Sequence, residues 1–234
     1  MTTDSFSQEE LEAIRGAVRE AELETSAEIV PLVAEASDAY AAAPLVGAVS
    51  GALLGLFVYS VTFVLWPAMQ RWQSETLGWT EPSLDAAFST ELVLVGLGAL
   101  LGWLFPRFIP AARRLFTPNT FMDDMVHRRA MQAFLEEEVF LTRDRTGILI
   151  YISLHEHRVE ILGDSGINAA VDPAEWASIS DDLCRAIRAK DVVGGLINTI
   201  RRCGELLSAK GLAIKADDTN ELGNGLRTRG FDWV

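Results

Sequence analysis

From Ala39 to Gln70 the chain carries no charged side chain, and Pro44 to Trp66 (PLVGAVSGALLGLFVYSVTFVLW) outruns the roughly 20 apolar residues a helix needs to cross a bilayer. A transmembrane helix is the expectation. A second segment, Leu92 to Pro106 (LVLVGLGALLGWLFP), is also uncharged, and it reaches spanning length when it starts near Ala87 or continues past Arg107 to Ile109. Its alternative is a buried core helix, but a hairpin partner favours spanning. A signal peptide is not expected, because a mostly acidic stretch precedes the first run and no basic region leads it. The segments are expected to stay in the mature protein.

Charge sets the expected orientation. Arg107, Arg113, Arg114, Arg128 and Arg129 follow the second segment, whereas the connector offers only Arg71 against Glu75, Glu81, Asp85 and Glu91. The positive-inside rule then puts the loop 67–90 outside and both termini in the cytoplasm. An integral membrane protein follows, of the inner or plasma membrane should the source be bacterial. Trp66, Trp72 and Trp79 on the outer side, and Trp103, Phe105 and Phe108 on the inner, suit interfacial belts or ordinary packing. Gly47, Gly51 and Gly55 open one flat stripe on the first segment, and Gly98 with Gly102 repeats the spacing on the second. Such stripes let helix backbones approach, either within the hairpin, with a second copy in a homo-oligomer, or with other membrane proteins. Neither segment carries an interior charge pathway, which disfavours a pore.

The 20 basic against 33 acidic residues, with a pI near 4.7, are the wrong balance for neutralising phosphates, so no nucleic-acid partner is expected. Two cysteines, Cys184 and Cys203, lack metal-ligand spacing and read as reduced, packed thiols.

The flanking sequence alternates helix and strand signals. Ser7 with Glu10 forms a capping box, Phe6 and Leu11 a staple, and Leu11, Ile14, Val18 and Ala21 one apolar face. Ala27 to Val33 reads as a strand that Pro31 pushes toward an edge or a bulge. One helix and one strand cannot close a core, so their partners must lie beyond the hairpin. Val126, Ala130, Ala133 and Phe134 mark a helix ending near Glu138. Gly147 to Leu154 is a continuous apolar run, expected to be a central strand, and Arg158 to Leu162 a shorter alternating one. Asp172-Pro173-Ala174-Glu175 caps a helix with Trp176, Ile179, Leu183, Cys184 and Ile187 on its face. Asp191 caps the last helix, with Val193, Leu196, Ile200, Cys203 and Leu207 inward and Gly211 as its stop.

The expected class is α/β: an α/β/α sandwich with a short mixed sheet, interrupted by a two-helix transmembrane hairpin. Residues 1–40 hold its first part, 41–112 the hairpin, 113–215 the second part, and 216–234 an irregular tail.

Ser7 to Ala34, with Thr-Ser-Ala-Glu-Ile-Val entering the first strand, and Arg145 to Gly166, with Arg-Thr-Gly-Ile-Leu-Ile-Tyr-Ile-Ser-Leu, Arg-Val-Glu-Ile-Leu and Gly-Asp-Ser-Gly-Ile, together resemble the TPM domain family. The likeness runs on to about Leu212. It implies a compact α/β/α domain, here a variant whose two spans replace the crossover after the first strand. Family members are linked to weak phosphatase activity, divalent-metal binding, and accessory roles in membrane complexes. The family's Asp-Asn-Gly motif reads Arg145-Thr146-Gly147 here, and its glutamate after the glycine loop is Asn168. A guanidinium where a cation ligand belongs repels a metal and stays charged. Asp144, Asp164 and Asp172 remain as candidate ligands for Ca²⁺ or Mg²⁺; their other roles are turn-former, loop cap and N-cap.

His155 and His157 could share a metal with Glu156 or sit solvated at a hairpin tip. Gly163-Asp164-Ser165-Gly166 lacks the lysine of a phosphate loop and reads as a turn. No nucleophile motif appears. The expectation is a non-catalytic membrane-anchored accessory or scaffold protein without a required cofactor; its alternative is a metal-assisted phosphatase using the three aspartates.

Overall fold

The computed structural model describes residues 6–77, 84–212, 214 and 220–231. Its elements are α1 (Gln8–Glu22), β1 (Glu28–Ala34), α2 (Ala43–Leu77), α3 (Leu84–Phe108), α4 (Pro110–Arg113), α5 (Asn119–Glu136), β2 (Gly147–Ser153), β3 (Arg158–Gly163), α6 (Ser165–Asn168), α7 (Pro173–Arg188), α8 (Val192–Ala209) and β4 (Arg227–Arg229). They form two units, Met1–Ala39 with Thr120–Val234, and Tyr40–Asn119. Trp79 lies outside the described residues.

The first unit is an α/β/α sandwich on a four-stranded mixed sheet ordered β3-β2-β1-β4, with β2 parallel to β1, β4 parallel to β1 and β3 antiparallel to β2. Alternation along the strands divides the side chains between two cores. Ile29, Val33, Ile148, Ile150 and Ile152 meet α1, α7 and α8 on one face. Val30, Leu32, Ala34, Leu149 and Tyr151 meet Val126, Ala130 and Ala133 of α5 on the other. Both faces of β1 and β2 are therefore covered, which is why every residue of both is buried and why β2 reads as an unbroken apolar run.

Both capping boxes form: Ser7 with Glu10, and Asp172 with Glu175. The Asp191 carboxylate accepts from Gly194 N–H at 3.0 Å, and α8 gives way to Gly211 at φ +84°, which glycine tolerates without strain. On α8 Val192 is buried, and Val193, half-buried, packs against the same core. Burial pushes the Cys203 thiol up to about 12, so it stays protonated.

Two sequence expectations are corrected here. Pro31 does not put β1 at an edge, since β1 lies between β2 and β4. Glu28 N–H donates to Thr146 O on the β2 side and Glu35 N–H to Arg229 O on the β4 side, so alternate residues address alternate neighbours. Pro31 shares the parity of Glu35, and pairing with β4 begins only at Leu32. Its missing N–H thus falls where the sheet has no partner. Second, the segment expected to be irregular supplies β4. Arg227 and Arg229 pair with Glu136 and Glu137 at the end of α5, and Phe231 N–H donates to Glu35 at 3.2 Å. Polar anchoring holds this strand, so no apolar period announces it.

In the second unit α2 and α3 pack along the two glycine stripes. A methyl group on Gly51 would lie 2.1 Å from Gly98 O, and one on Gly102 2.1 Å from Gly47 O. The stripes therefore serve the hairpin itself. Ala43–Thr62 and Phe88–Phe108 are long and apolar enough to cross a membrane, and almost none of either is buried. Leu53, Leu54 and Phe57 are each more than 60% exposed, which a core helix would not allow. Ser60 and Thr62 hydroxyls donate to the carbonyls of Leu56 and Val58, so neither is left without a partner on this apolar surface. After Pro106, inside the last turn of α3, the buried Arg113 donates from Nε to Pro106 O at 3.1 Å, and Phe105 stacks edge-on to Phe116.

Candidate functional site

Three polar constellations lie around the sheet, and their chemistry differs. The first is the rim at the start of β2, where the aspartates were expected to gather. Asp164 caps the single turn of α6, accepting from Ser165 N–H, and its own N–H donates to Gly147 O at 2.9 Å. Arg145, held at φ +59°, brings its Nε to 3.1 Å from Asp164 Oδ2 and donates from its guanidinium to Phe140 O. Gly166 N–H donates to Arg145 O, and a methyl group on Gly166 would meet the carbonyls of Asp144 and Arg145 within 2.8 Å. Asn168 Nδ2 donates back to Gly163 O. Asp172 caps α7, accepting from Ala174 N–H at 2.8 Å.

The rim is thus held by its own contacts, with Asp164 Oδ2 left to the ion pair with Arg145 and no hydrogen bond. Asp144, Asp164 and Asp172 do not converge: among the described residues no three His, Cys, Asp or Glu side chains are placed to hold a metal ion. Asp164, the most buried of the three, faces a fixed positive charge, and Asn168 presents its amide to a carbonyl. This donor set does not fit a hard divalent cation, which needs several convergent oxygens.

The second constellation sits at the opposite end of β1 and β2, the carboxyl end of the parallel pair. Glu156 is fully buried in the β2–β3 turn and accepts from Ser37 N–H at 3.0 Å and from the Ser153 hydroxyl. Ser37 Oγ lies 2.8 Å from Ser153 Oγ and 3.1 Å from Tyr151 Oη. Burial, with the nearby Glu156 charge adding to it, pushes the Tyr151 phenol above its usual range, so the hydroxyl stays neutral. Glu156 therefore turns inward as a clamp on the chain leaving β1 and is not a ligand between two histidines; His157 takes the left-handed position of the turn, φ +52°.

The third follows the open side of β1. Ile29 N–H, upstream of Pro31 on the β4 side, donates to Glu22 Oε1 at 3.1 Å, and Asn224 donates to Glu22 Oε2. Glu28 accepts the N–H groups of Glu221 and Leu222 at 3.0 and 3.2 Å. Two glutamate side chains thus do for this edge what a longer β4 would do. Burial, and secondarily the Glu28 charge, raise Glu22 to about 8 from its ordinary 4.5.

The folded state then holds a proton that the unfolded chain releases, so stability is highest below about pH 4.5 on account of this group and falls as pH rises toward 8. Urea unfolding at pH 5 and pH 8 is expected to show that decline, and Glu22→Gln is expected to flatten it. An unchanged slope in the variant would assign the pH dependence elsewhere.

Sequence reasoning missed Ser37, Tyr151 and Glu22 altogether. Glu28 inside an otherwise apolar strand was the one visible signal.

Against known proteins, residues 114–206 match the family model described as the TPM domain. The NMR structure of the BA42 protein from the psychrophilic bacterium Bizionia argentinensis superposes with a TM-score of 0.54 at 19% identity, covering 96% of this chain and 95% of that one. That likeness is one of fold. Among curated proteins none matches the chain.

Proposed function

We propose that this chain, with its TPM domain in residues 114–206, is a membrane-anchored, non-catalytic accessory or scaffold protein serving the assembly, stability or regulation of a membrane complex. The observation that carries the reading is the Arg145–Asp164 pair: a permanent cation sits on the carboxylate around which a metal-assisted site would be built. Ser153 and Ser37 hydrogen-bond to each other and to Glu156, which is fully buried.

The anchor is the pair α2 and α3. Two crossings return the chain to the side it left, as one sheet built from strands before and after the hairpin requires. The arginines after α3 and the acidic connector support a cytoplasmic side by the positive-inside rule.

Calorimetric titration of Ca²⁺, Mg²⁺ and Mn²⁺ into the detergent-solubilised chain tests the non-catalytic half. No saturable heat at millimolar metal is expected, and Arg145→Asp, which restores a carboxylate beside Asp164, is expected to gain binding. Saturable binding by the unaltered chain that is lost in Asp164→Ala would overturn the reading in favour of the metal-assisted phosphatase.

A further inference from the structure

Helix α5 packs Val126, Ala130 and Ala133 against the sheet, so an ordinary surface helix would carry polar side chains on its opposite face. That face instead holds Phe121, Asp124, Arg128, Met131 and Leu135, in steps of three, four, three and four residues. All five are exposed, Leu135 by 60% and Phe121 and Met131 by 45% each. Steps alternating between three and four draw the seam along which one helix packs lengthwise on another.

The charges on the helix divide in the same way. Asp123 pairs with Arg158, His127 with Glu160 and Glu136 with Arg229, while Arg129 donates to Gln132. Asp124 and Arg128, the two on the seam, have no ion-pair partner among the described residues. One acid and one base, a single helical turn apart, are left facing outward between apolar side chains.

That pattern is complementary to itself. Two parallel copies of α5 would set Asp124 on Asp124 and Arg128 on Arg128, and like charges repel. Two antiparallel copies, with the two-fold axis level with Val126, bring Asp124 of each onto Arg128 of the other and Phe121 of each onto Met131 of the other. Sliding this register by one heptad sets Asp124 against Leu135 and Arg128 against Met131, or Phe121 against Asp124. A single register therefore matches acid with base and apolar with apolar, and a two-fold pair uses the same patch on both copies. A polar pair inside an apolar seam costs stability and fixes register and orientation. A bilayer surface fits this face less well, since an interfacial helix collects Lys and Arg around its apolar stripe, and here an acid stands within it.

We propose that the outer face of α5 is a self-association surface on which two copies of this chain pair antiparallel through Phe121, Asp124, Arg128 and Met131. The inference goes beyond the accessory reading and is independent of whether a metal binds.

Sedimentation of the full chain in detergent tests it. The unaltered chain is expected to show a concentration-dependent dimer. Asp124→Arg and Arg128→Asp each set like charges together at both crossings, and each is expected to weaken the dimer about tenfold or more. Mixing the two variants in equal amounts restores opposite charges at both crossings and is expected to recover the dimer, which misfolded chains could not do. A monomer at every concentration up to about 100 μM would overturn the proposal. So would a dimer indifferent to both single variants, or a loss that mixing does not recover.

Discussion

Gly51→Ile is expected to separate α2 from α3. The new Cβ alone would lie 2.1 Å from Gly98 O and 3.2 Å from Gly102 Cα, so no rotamer relieves the clash and the helices must move apart along the whole seam. Overpacking inside a well-packed core costs about 1–3 kcal/mol, and here the obstacle is backbone on a second helix, so a loss on the order of 3 kcal/mol or more is expected. Close backbone approach is also what holds helices together where lipid supplies no hydrophobic drive. The measurement is the midpoint of SDS-induced unfolding of the purified chain. Gly96→Ala on α3 is the control, since a methyl group there meets nothing within 4 Å. Equal midpoints for the two variants would mean that the stripes are not in contact.

The second large effect is expected at Glu156. Replacing it with Ala takes the acceptor away from the half-buried Ser37 N–H and from the buried Ser153 hydroxyl, which keeps only Ser37 Oγ beside it, and leaves a cavity where the buried side chain stood. Each buried donor left without a partner costs about 1–3 kcal/mol, so Glu156→Ala is expected to lower stability by about 3 kcal/mol. Glu156→Gln keeps a carbonyl oxygen for one donor and is expected to lose about half as much. Thermal unfolding of the full chain in detergent, followed by far-UV circular dichroism, separates the two. A change below about 1 kcal/mol for Glu156→Ala would show that the clamp does not stabilise the fold.

Much of the sandwich was legible in the sequence because its signals are local. Ser7 and Glu10, or Asp172 and Glu175, lie three residues apart and cap the same turn whatever the rest of the chain does. The run Gly147 to Ser153 announces a strand covered on both faces, and so it is. What was illegible depends on partners far apart in the chain. Glu156 and Ser37 are 119 positions apart, and neither residue type is unusual where it stands. Arg227 to Arg229 looks like solvated tail until Glu136 and Glu137 are set beside it. Pro31 was misleading for a subtler reason: the rule that proline avoids inner strands concerns one side of the backbone, and periodicity does not reveal which side is open. The three aspartates do not come together, and two of them cap helices, where they serve the backbone.

The strand order β3-β2-β1-β4 also sets a problem in time. The strand that leaves the ribosome first is flanked by the two neighbours made long after it, one beginning at Gly147 and the other at Arg227. At about 5–20 residues per second, Glu28–Ala34 waits on the order of 10 s for β2 and longer for β4. Throughout that interval a segment destined to be wholly buried has no sheet to join, while both halves of the hairpin are being synthesised. The sheet can therefore close only after the chain has passed through both halves of the hairpin.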